Sequence, residues 1–247
     1  MQNIVSFILA AGLGTRLKPL TDVMPKALVP VGGTPLIDIV RERLRAEGFE
    51  QQVVNVHHFG EQIIAHLAST TVKISDERDM LRDTGGALCH AASLLNDADK
   101  VLVHNVDILS NAHLRQLVGQ SQGTDAMLLV SRRPSSRQLL FYQHLRLVGW
   151  TNVQTGEVRT PHEGLEVERC ISLAFAGIHV IDRSLLDDMK GGGECFSVID
   201  FYLAQCLHRR IYGYVQPDLQ LLDVGKVATL GEAEQFLKCT MHNAQFA

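Results

Sequence analysis

Short apolar runs alternate with amphipathic stretches along the first 131 residues, and the alternation predicts strands and helices in turn. The run IVSFIL at 4–9 has the length and Val/Ile/Phe content of a buried strand, and it breaks into Ala10, Ala11, Gly12, Leu13 and Gly14. Over 35–47, Leu36, Ile37, Ile39, Val40 and Leu44 form one helical stripe with Asp38, Arg41, Glu42, Arg43 and Arg45 outside it. Pro35 suits the first turn of that helix and Gly48 its end. A second strand at 52–56 and a short helix at 60–67 follow, so strand, helix, strand implies a right-handed parallel crossover. Next come a strand at 72–75, a helix over 87–95 opened by Gly85 and Gly86, a strand at 101–104, a helix from an Asn111 cap to about 120, and a strand at 126–131.

Beyond Arg132 the pattern changes. Residues 138–150 alternate with breaks and 152–157 are turn-like, which predicts a small antiparallel excursion. A long apolar strand at 170–181 is interrupted by Gly177, and a glycine inside a strand marks close approach by another backbone or a ligand. A helix at 197–208, extended pieces at 211–215 and 220–222, and a helix from 226 to about 238 close the chain.

Composition narrows the class. The 23 Lys plus Arg against 27 Asp plus Glu give no basic run of the kind that tracks a nucleic-acid backbone or an anionic membrane. No apolar segment reaches the roughly 20 residues of a membrane span, and the first residues lack the cationic start of a signal peptide. The expectation is a cytoplasmic protein of one domain, with neither nucleic acid nor membrane as partner. The five cysteines are an odd number without a C-x-x-C pair or zinc spacing, so they are expected to be reduced thiols filling core positions, with Cys195 the more exposed. His57 and His58 are adjacent at a strand end and face opposite ways, which disfavours a shared metal ion.

The glycine loop carries the first chemistry. Small residues let backbone N–H groups approach an anion, and Thr15, Arg16, Lys18 and Lys26 add a hydroxyl and positive charge, so a phosphate chain is the natural guest. Leu17 stands where a dinucleotide fingerprint needs its third glycine, and the Gly-Lys-Ser/Thr of a Walker A loop is absent. Asp107, delivered at the carboxyl end of a buried strand, is placed to hold Mg²⁺ together with phosphate oxygens.

The string FILAAGLGTRLKPLTDVMPKALVPVGGTPLI at 7–37 strongly resembles the signature of the sugar-1-phosphate nucleotidyltransferases. It matches at Leu9 to Gly12, Gly14 to Leu17, Pro19 to Thr21, Pro25, Lys26, Leu28 to Val31 and Pro35 to Ile37. The resemblance covers nearly the whole chain and is to the short, catalytic-domain-only members, including the bacterial N-acetylmuramate-1-phosphate uridylyltransferases. It implies an α/β, Rossmann-like three-layer sandwich with a mixed, mainly parallel sheet (GT-A-like). It also implies one nucleotidyltransferase domain over 1–247, with a nucleotide-binding half at about 1–131 and an acceptor-binding half at about 132–225.

By the same resemblance, Leu9, Ala10, Ala11, Gly12, Gly14 and Thr15 form the nucleotide loop, and Gly85 and Gly86 lie against the nucleobase. Asn105, Gly177 (in an F-x-G-I string) and Asp200 belong to the acceptor side. Asp107 is the first metal ligand and Asp223, in a D-x-G string, the second. Two departures bear on acceptor choice: Val106 replaces the usual glycine, and the Glu-Lys-Pro string of many relatives is missing; Lys226 also replaces the threonine of D-x-G-T.

The implied reaction is attack by a sugar 1-phosphate oxygen on the α-phosphorus of a nucleoside triphosphate, with Mg²⁺ as cofactor. The attacking phosphate is already ionised, so alignment and charge neutralisation suffice and no general base is needed. Arg16 would hold the β and γ phosphates, and Lys26 would bridge the α-phosphate and the sugar phosphate. Two other readings stay open: a cytidylyltransferase for an alcohol phosphate such as phosphocholine, and a non-catalytic nucleotide-sensing subunit. The joint presence of Arg16, Lys26, Asp107 and Asp223 argues against the latter. Base, acceptor and oligomeric state are not legible.

Overall fold

The computed structural model describes residues 2–244, with side chains through 239. Strand β1 (Ile4–Leu9) leads through the glycine loop to a small hairpin, β2 (Pro30–Val31) and β3 (Thr34–Pro35), then to α1 (Leu36–Ala46), β4 (Gln52–Val56), α2 (Gly60–Leu67) and β5 (Lys73–Asp76). There follow α3 (Asp83–His90), β6 (Lys100–Asn105), β7 (Ile108–Ser110), α4 (Leu114–Gln120), β8 (Ala126–Ser131), β9 (Arg137–Phe141), β10 (Leu147–Asn152) and β11 (Glu157–Arg159). The long β12 (Ile171–Asp182), α5 (Leu185–Met189), α6 (Val198–Gln205), β13 (Ile211–Val215), β14 (Leu221–Asp223) and α7 (Leu230–Ala244) complete the described chain.

Two compact units share these elements. One comprises Val5–Leu81, His104–Ala112 and Leu219–Ala247. Here β1 pairs in parallel with β4, placing Phe7 opposite Val53, and β4 pairs in parallel with β5. A strand buried on both faces reads as an apolar run rather than an alternation, and all five residues of β4 are buried. Its two polar members are satisfied: Gln52 donates to the Arg41 and Phe49 carbonyls, and Asn55 serves the glycine loop. Helix α1 buries the predicted stripe, and Gly48, at φ 86°, ends it with its N–H on the Arg45 carbonyl. Phe7 and Ile8 on β1 and Leu36, Ile37 and Leu44 on α1 are fully buried, each worth about 1.5–3 kcal/mol, which anchors the elements on either side of the loop.

The other unit comprises Met1–Ile4, Arg82–Val103 and His113–Asp218. The predicted antiparallel excursion is β9–β10–β11, with Trp150 opposite both Leu139 and Arg159. β12 runs antiparallel to β8 and β9, and β13 runs parallel to β8. Helix α6 starts after Ser197, whose Oγ accepts from the Ile199 N–H at 3.2 Å.

Three local expectations are corrected. Gly85 and Gly86 lie inside the first turns of α3 rather than ahead of it, because the close approach of another segment, described below, sets their place. Asn111 does not cap α4, which begins at Leu114; its Oδ1 instead accepts from the Gln220 N–H at 2.7 Å. Among the cysteines only Cys206 is buried; Cys89 and Cys170 are half-buried, and Cys239 is exposed along with Cys195.

Candidate active site

The glycine loop is shaped by three side chains beneath it. The N–H groups of Ala10 and Ala11, just past Leu9, both donate to Asn55 Oδ1, at 2.7 and 3.3 Å. The Asn55 amide in turn donates to the fully buried Glu77 at 3.1 Å. Thr21 Oγ1 donates to the Gly14 carbonyl at 2.9 Å. Gly14 adopts φ 63°, and a Cβ there would sit 2.8 Å from Thr21 Cγ2 and 3.0 Å from Lys26 Cβ, so the position needs glycine twice over. Leu17 is fully buried and pins the short turn Thr15–Leu17, which leaves Gly12, Thr15 and Arg16 exposed. The backbone at Gly12 and Thr15 and the Arg16 cation are thereby left accessible on a fixed base.

The charged groups converge in the same unit. Lys26 is only 8% exposed, and its ammonium is ion-paired with Asp107. Asp107 stands between β6 and β7; β14 lies antiparallel to β7 with Asp223 opposite Ile108, and the Val224 N–H donates to the Asp107 carbonyl at 2.8 Å. Both aspartates therefore stand at one end of the ribbon. Arg16 Nη2 lies 4.0 Å from the Asp223 carboxylate. A Cβ on Gly225 would come within 2.7 Å of both Arg16 Nη2 and Asp223 Oδ1, so any side chain there would displace these two charged groups. Val106, in place of the usual glycine, is buried and donates its N–H to the Leu9 carbonyl at 3.1 Å.

This donor set fits Mg²⁺, which takes one or two carboxylates and completes its shell with water and substrate phosphate oxygens. Among the described residues no group of three or more His, Cys, Asp or Glu is arranged to hold a metal ion on its own. His104, one strand residue before Asn105, is buried, and its Nδ1 is 2.8 Å from the Asn105 carbonyl. Burial, reinforced by the Arg43 charge, pushes its pKa down to about 4, so it is neutral near pH 7.

The other named residues lie apart from this cluster along the chain. Gly85 and Gly86 both donate their N–H groups to the Phe196 carbonyl, at 2.9 and 3.2 Å. A Cβ on Gly85 would fall inside the Phe196 ring contact, and one on Gly86 against the Glu194 carbonyl, so the pair permits 194–196 to lie on α3. Gly177, at φ 75°, sits where the β12–β8 register shifts between Phe175 and His179, and Arg133 donates to the Phe175 carbonyl at 3.0 Å. Asp200, in the first turn of α6, is ion-paired with Arg159, whose guanidinium carbon lies 4.1 Å from the centroid of Trp150. Asn55 was missed from sequence; a polar residue inside the buried run QVVNV was the available signal.

Fold and glycine-loop cluster belong with the nucleotidyltransferases: residues 6–159 match the MobA-like NTP transferase domain, and the chain belongs to that family. It is 32% identical to the N-acetylmuramate alpha-1-phosphate uridylyltransferase of Caulobacter vibrioides, over 90% of this chain and 91% of that one. To the protein of the same name from Neisseria meningitidis it is 28% identical, over 93% and 96%. The crystal structure of HddC from Yersinia pseudotuberculosis complexed with GMP-PN is similar with a TM-score of 0.74 at 18% identity, covering 95% of this chain and 99% of that one. The crystal structure of a putative glucose-1-phosphate thymidylyltransferase from Bacillus anthracis gives 0.75 at 19% identity, covering 94% of each chain. These likenesses establish the expected mixed-sheet α/β nucleotidyltransferase fold.

Proposed function

We propose that this protein transfers a uridylyl group from UTP to the phosphate of N-acetylmuramate 1-phosphate, releasing pyrophosphate, with Mg²⁺ as cofactor. The observation that carries the reading is the 32% identity to the Caulobacter vibrioides uridylyltransferase across nine-tenths of both chains. The site chemistry supports nucleotidyl transfer in general. Gly14 and Thr15 offer backbone donors to the triphosphate, and Arg16 holds its β and γ phosphates. Lys26 leaves Asp107 to lie between the α-phosphate and the attacking sugar phosphate, screening two anions that otherwise repel. Asp107 and Asp223 hold the cation, which supplies Lewis-acid polarisation of the phosphate oxygens. The attacking oxygen carries its charge already, so no side chain has to remove a proton from it, and the P–O bond to pyrophosphate breaks as the new one forms.

On this reading the acceptor side is formed by Asn105, Gly177 and Asp200, and the base contacts by Leu9 to Gly12 with the segment around Gly85 and Gly86. The test is pyrophosphate release, crossing the common nucleoside triphosphates with a panel of sugar 1-phosphates and phosphocholine. UTP with N-acetylmuramate 1-phosphate should give the highest kcat/KM. A different productive sugar pair would overturn the substrate assignment, turnover of CTP with phosphocholine would overturn the acceptor class, and silence across the panel with nucleotide still bound would favour a sensing role.

A further inference from the structure

Arg43 lies on α1, outside the phosphate loop, and the reaction above gives it no task. Its guanidinium is nonetheless heavily invested in the ribbon that carries both aspartates. Nη1 donates to Ser110 Oγ at 3.2 Å and Nη2 to the Ala112 carbonyl. Ser110 Oγ also meets the Ala112 N–H at 3.4 Å, and Glu47, one turn along α1, lies 3.5 Å from the guanidinium. Burial holds the Arg43 pKa below the usual arginine range despite Glu47, so the cation is kept at a cost in desolvation.

Ser110 ends β7, and Ala112 lies just past it. Across the ribbon Leu221 faces Ser110, the Asn111 N–H donates to the Gln220 carbonyl at 3.2 Å, and the Gln220 N–H returns to Asn111 Oδ1 at 2.7 Å. The opposite end carries Asp107 and Asp223. A two-stranded ribbon is marginal by itself, so its register and tilt are set by whatever grips its ends. Three strand residues span only about 10 Å, short enough for a shift at Ser110 to reach the carboxylates.

We propose that Arg43 is a positioning residue for the cation site: by gripping Ser110 and Ala112 it fixes the β7–β14 ribbon and so the mutual placement of the Asp107 and Asp223 carboxylates. This rests on the reading of those two aspartates as metal ligands. A purely structural Arg43 would change stability alone, whereas a positioning Arg43 changes metal affinity in protein that remains folded.

The experiment titrates the full chain with Mn²⁺ alone, reading free ion by its electron paramagnetic resonance signal, for wild type, Arg43→Leu, Arg43→Lys, Ser110→Ala and Asp107→Asn. Loss of a group that orients metal ligands lowers affinity by about tenfold or more, and Arg43→Leu should show that loss in Mn²⁺ affinity. The Mg²⁺ concentration for half-maximal pyrophosphate release should rise in parallel, with the KM for nucleotide at saturating Mg²⁺ unchanged. Arg43→Lys, which can keep one donor, should recover part of the loss. Should Arg43→Leu not fold, Ser110→Ala, which removes one accepting hydroxyl, carries the same expectation on a smaller scale. Wild-type Mn²⁺ affinity in folded Arg43→Leu or Ser110→Ala, beside a loss in Asp107→Asn, overturns the inference alone. Wild-type affinity in Asp107→Asn overturns the metal-site reading, and the inference with it.

Discussion

Lys26→Met removes the ammonium from Asp107 while keeping most of the aliphatic stem, and two effects with different sizes should separate. The Lys26 and Asp107 side chains are only 10% and 20% exposed, so their attraction is screened less than that of a surface pair. For a close ion pair at an effective dielectric constant of about 20 the gross Coulomb term is roughly 4–5 kcal/mol. Desolvation of both groups offsets much of it, leaving a pairwise coupling of about 1–3 kcal/mol. Stability should therefore fall by about that amount, because Asp107 loses its partner; a cycle with Asp107→Asn isolates the coupling. Turnover should fall further. A preorganised cation aimed at charge in the transition state is worth about 3–4 kcal/mol, or roughly 10²–10³ in kcat. The assay is pyrophosphate release at saturating nucleotide and acceptor, with urea denaturation on the same samples. A kcat within threefold of wild type in folded Lys26→Met would falsify the role given to Lys26. A loss in kcat that vanishes once corrected for the folded fraction would reduce it to a structural residue.

Three further outcomes are expected. Gly225→Ala places a methyl 2.7 Å from Arg16 Nη2 and Asp223 Oδ1, both flexible and exposed side chains, so stability should change by under about 1 kcal/mol while pyrophosphate release drops by tenfold or more; an unchanged rate would refute the need for this close approach. Gly85→Ala drives a methyl into the Phe196 contact and should cost about 1–3 kcal/mol in urea unfolding, with an unaltered midpoint counting against that packing. His104, at about 4 when folded against about 6.5 unfolded, binds its proton more readily in the unfolded chain. Its neutral form stabilises the fold fully above about pH 6.5, and the contribution is lost progressively as pH falls from there through 4. Between pH 7.5 and 4.5 that amounts to about 2–3 kcal/mol, which His104→Phe should remove from the pH dependence of unfolding; identical profiles would contradict it.

Much of this protein was written in its local pattern. The runs 4–9, 52–56, 126–131 and 211–215 became strands with those bounds, because a strand buried on both faces must be a continuous apolar run ended by turn residues. The helix over 60–67 and the stripe of α1 were equally legible from period alone. The turn of the glycine loop follows from the same local logic, since the φ 63° of Gly14 and the buried anchor Leu17 are demands placed on single residues. What required the tertiary structure involves partners distant in sequence. Asn111 looked like a helix cap because its nearest suitor in sequence was α4, yet Gln220 offers it a backbone donor across the ribbon. Gly85 and Gly86 looked like a helix opening, and only the approach of Phe196 shows why neither can carry a Cβ. The pairing of Lys26 with Asp107, of Arg16 with Asp223, and the hold of Arg43 on Ser110 are likewise set by where strands end in space. Periodicity reports which face of an element is buried; it does not report which distant residue it is buried against.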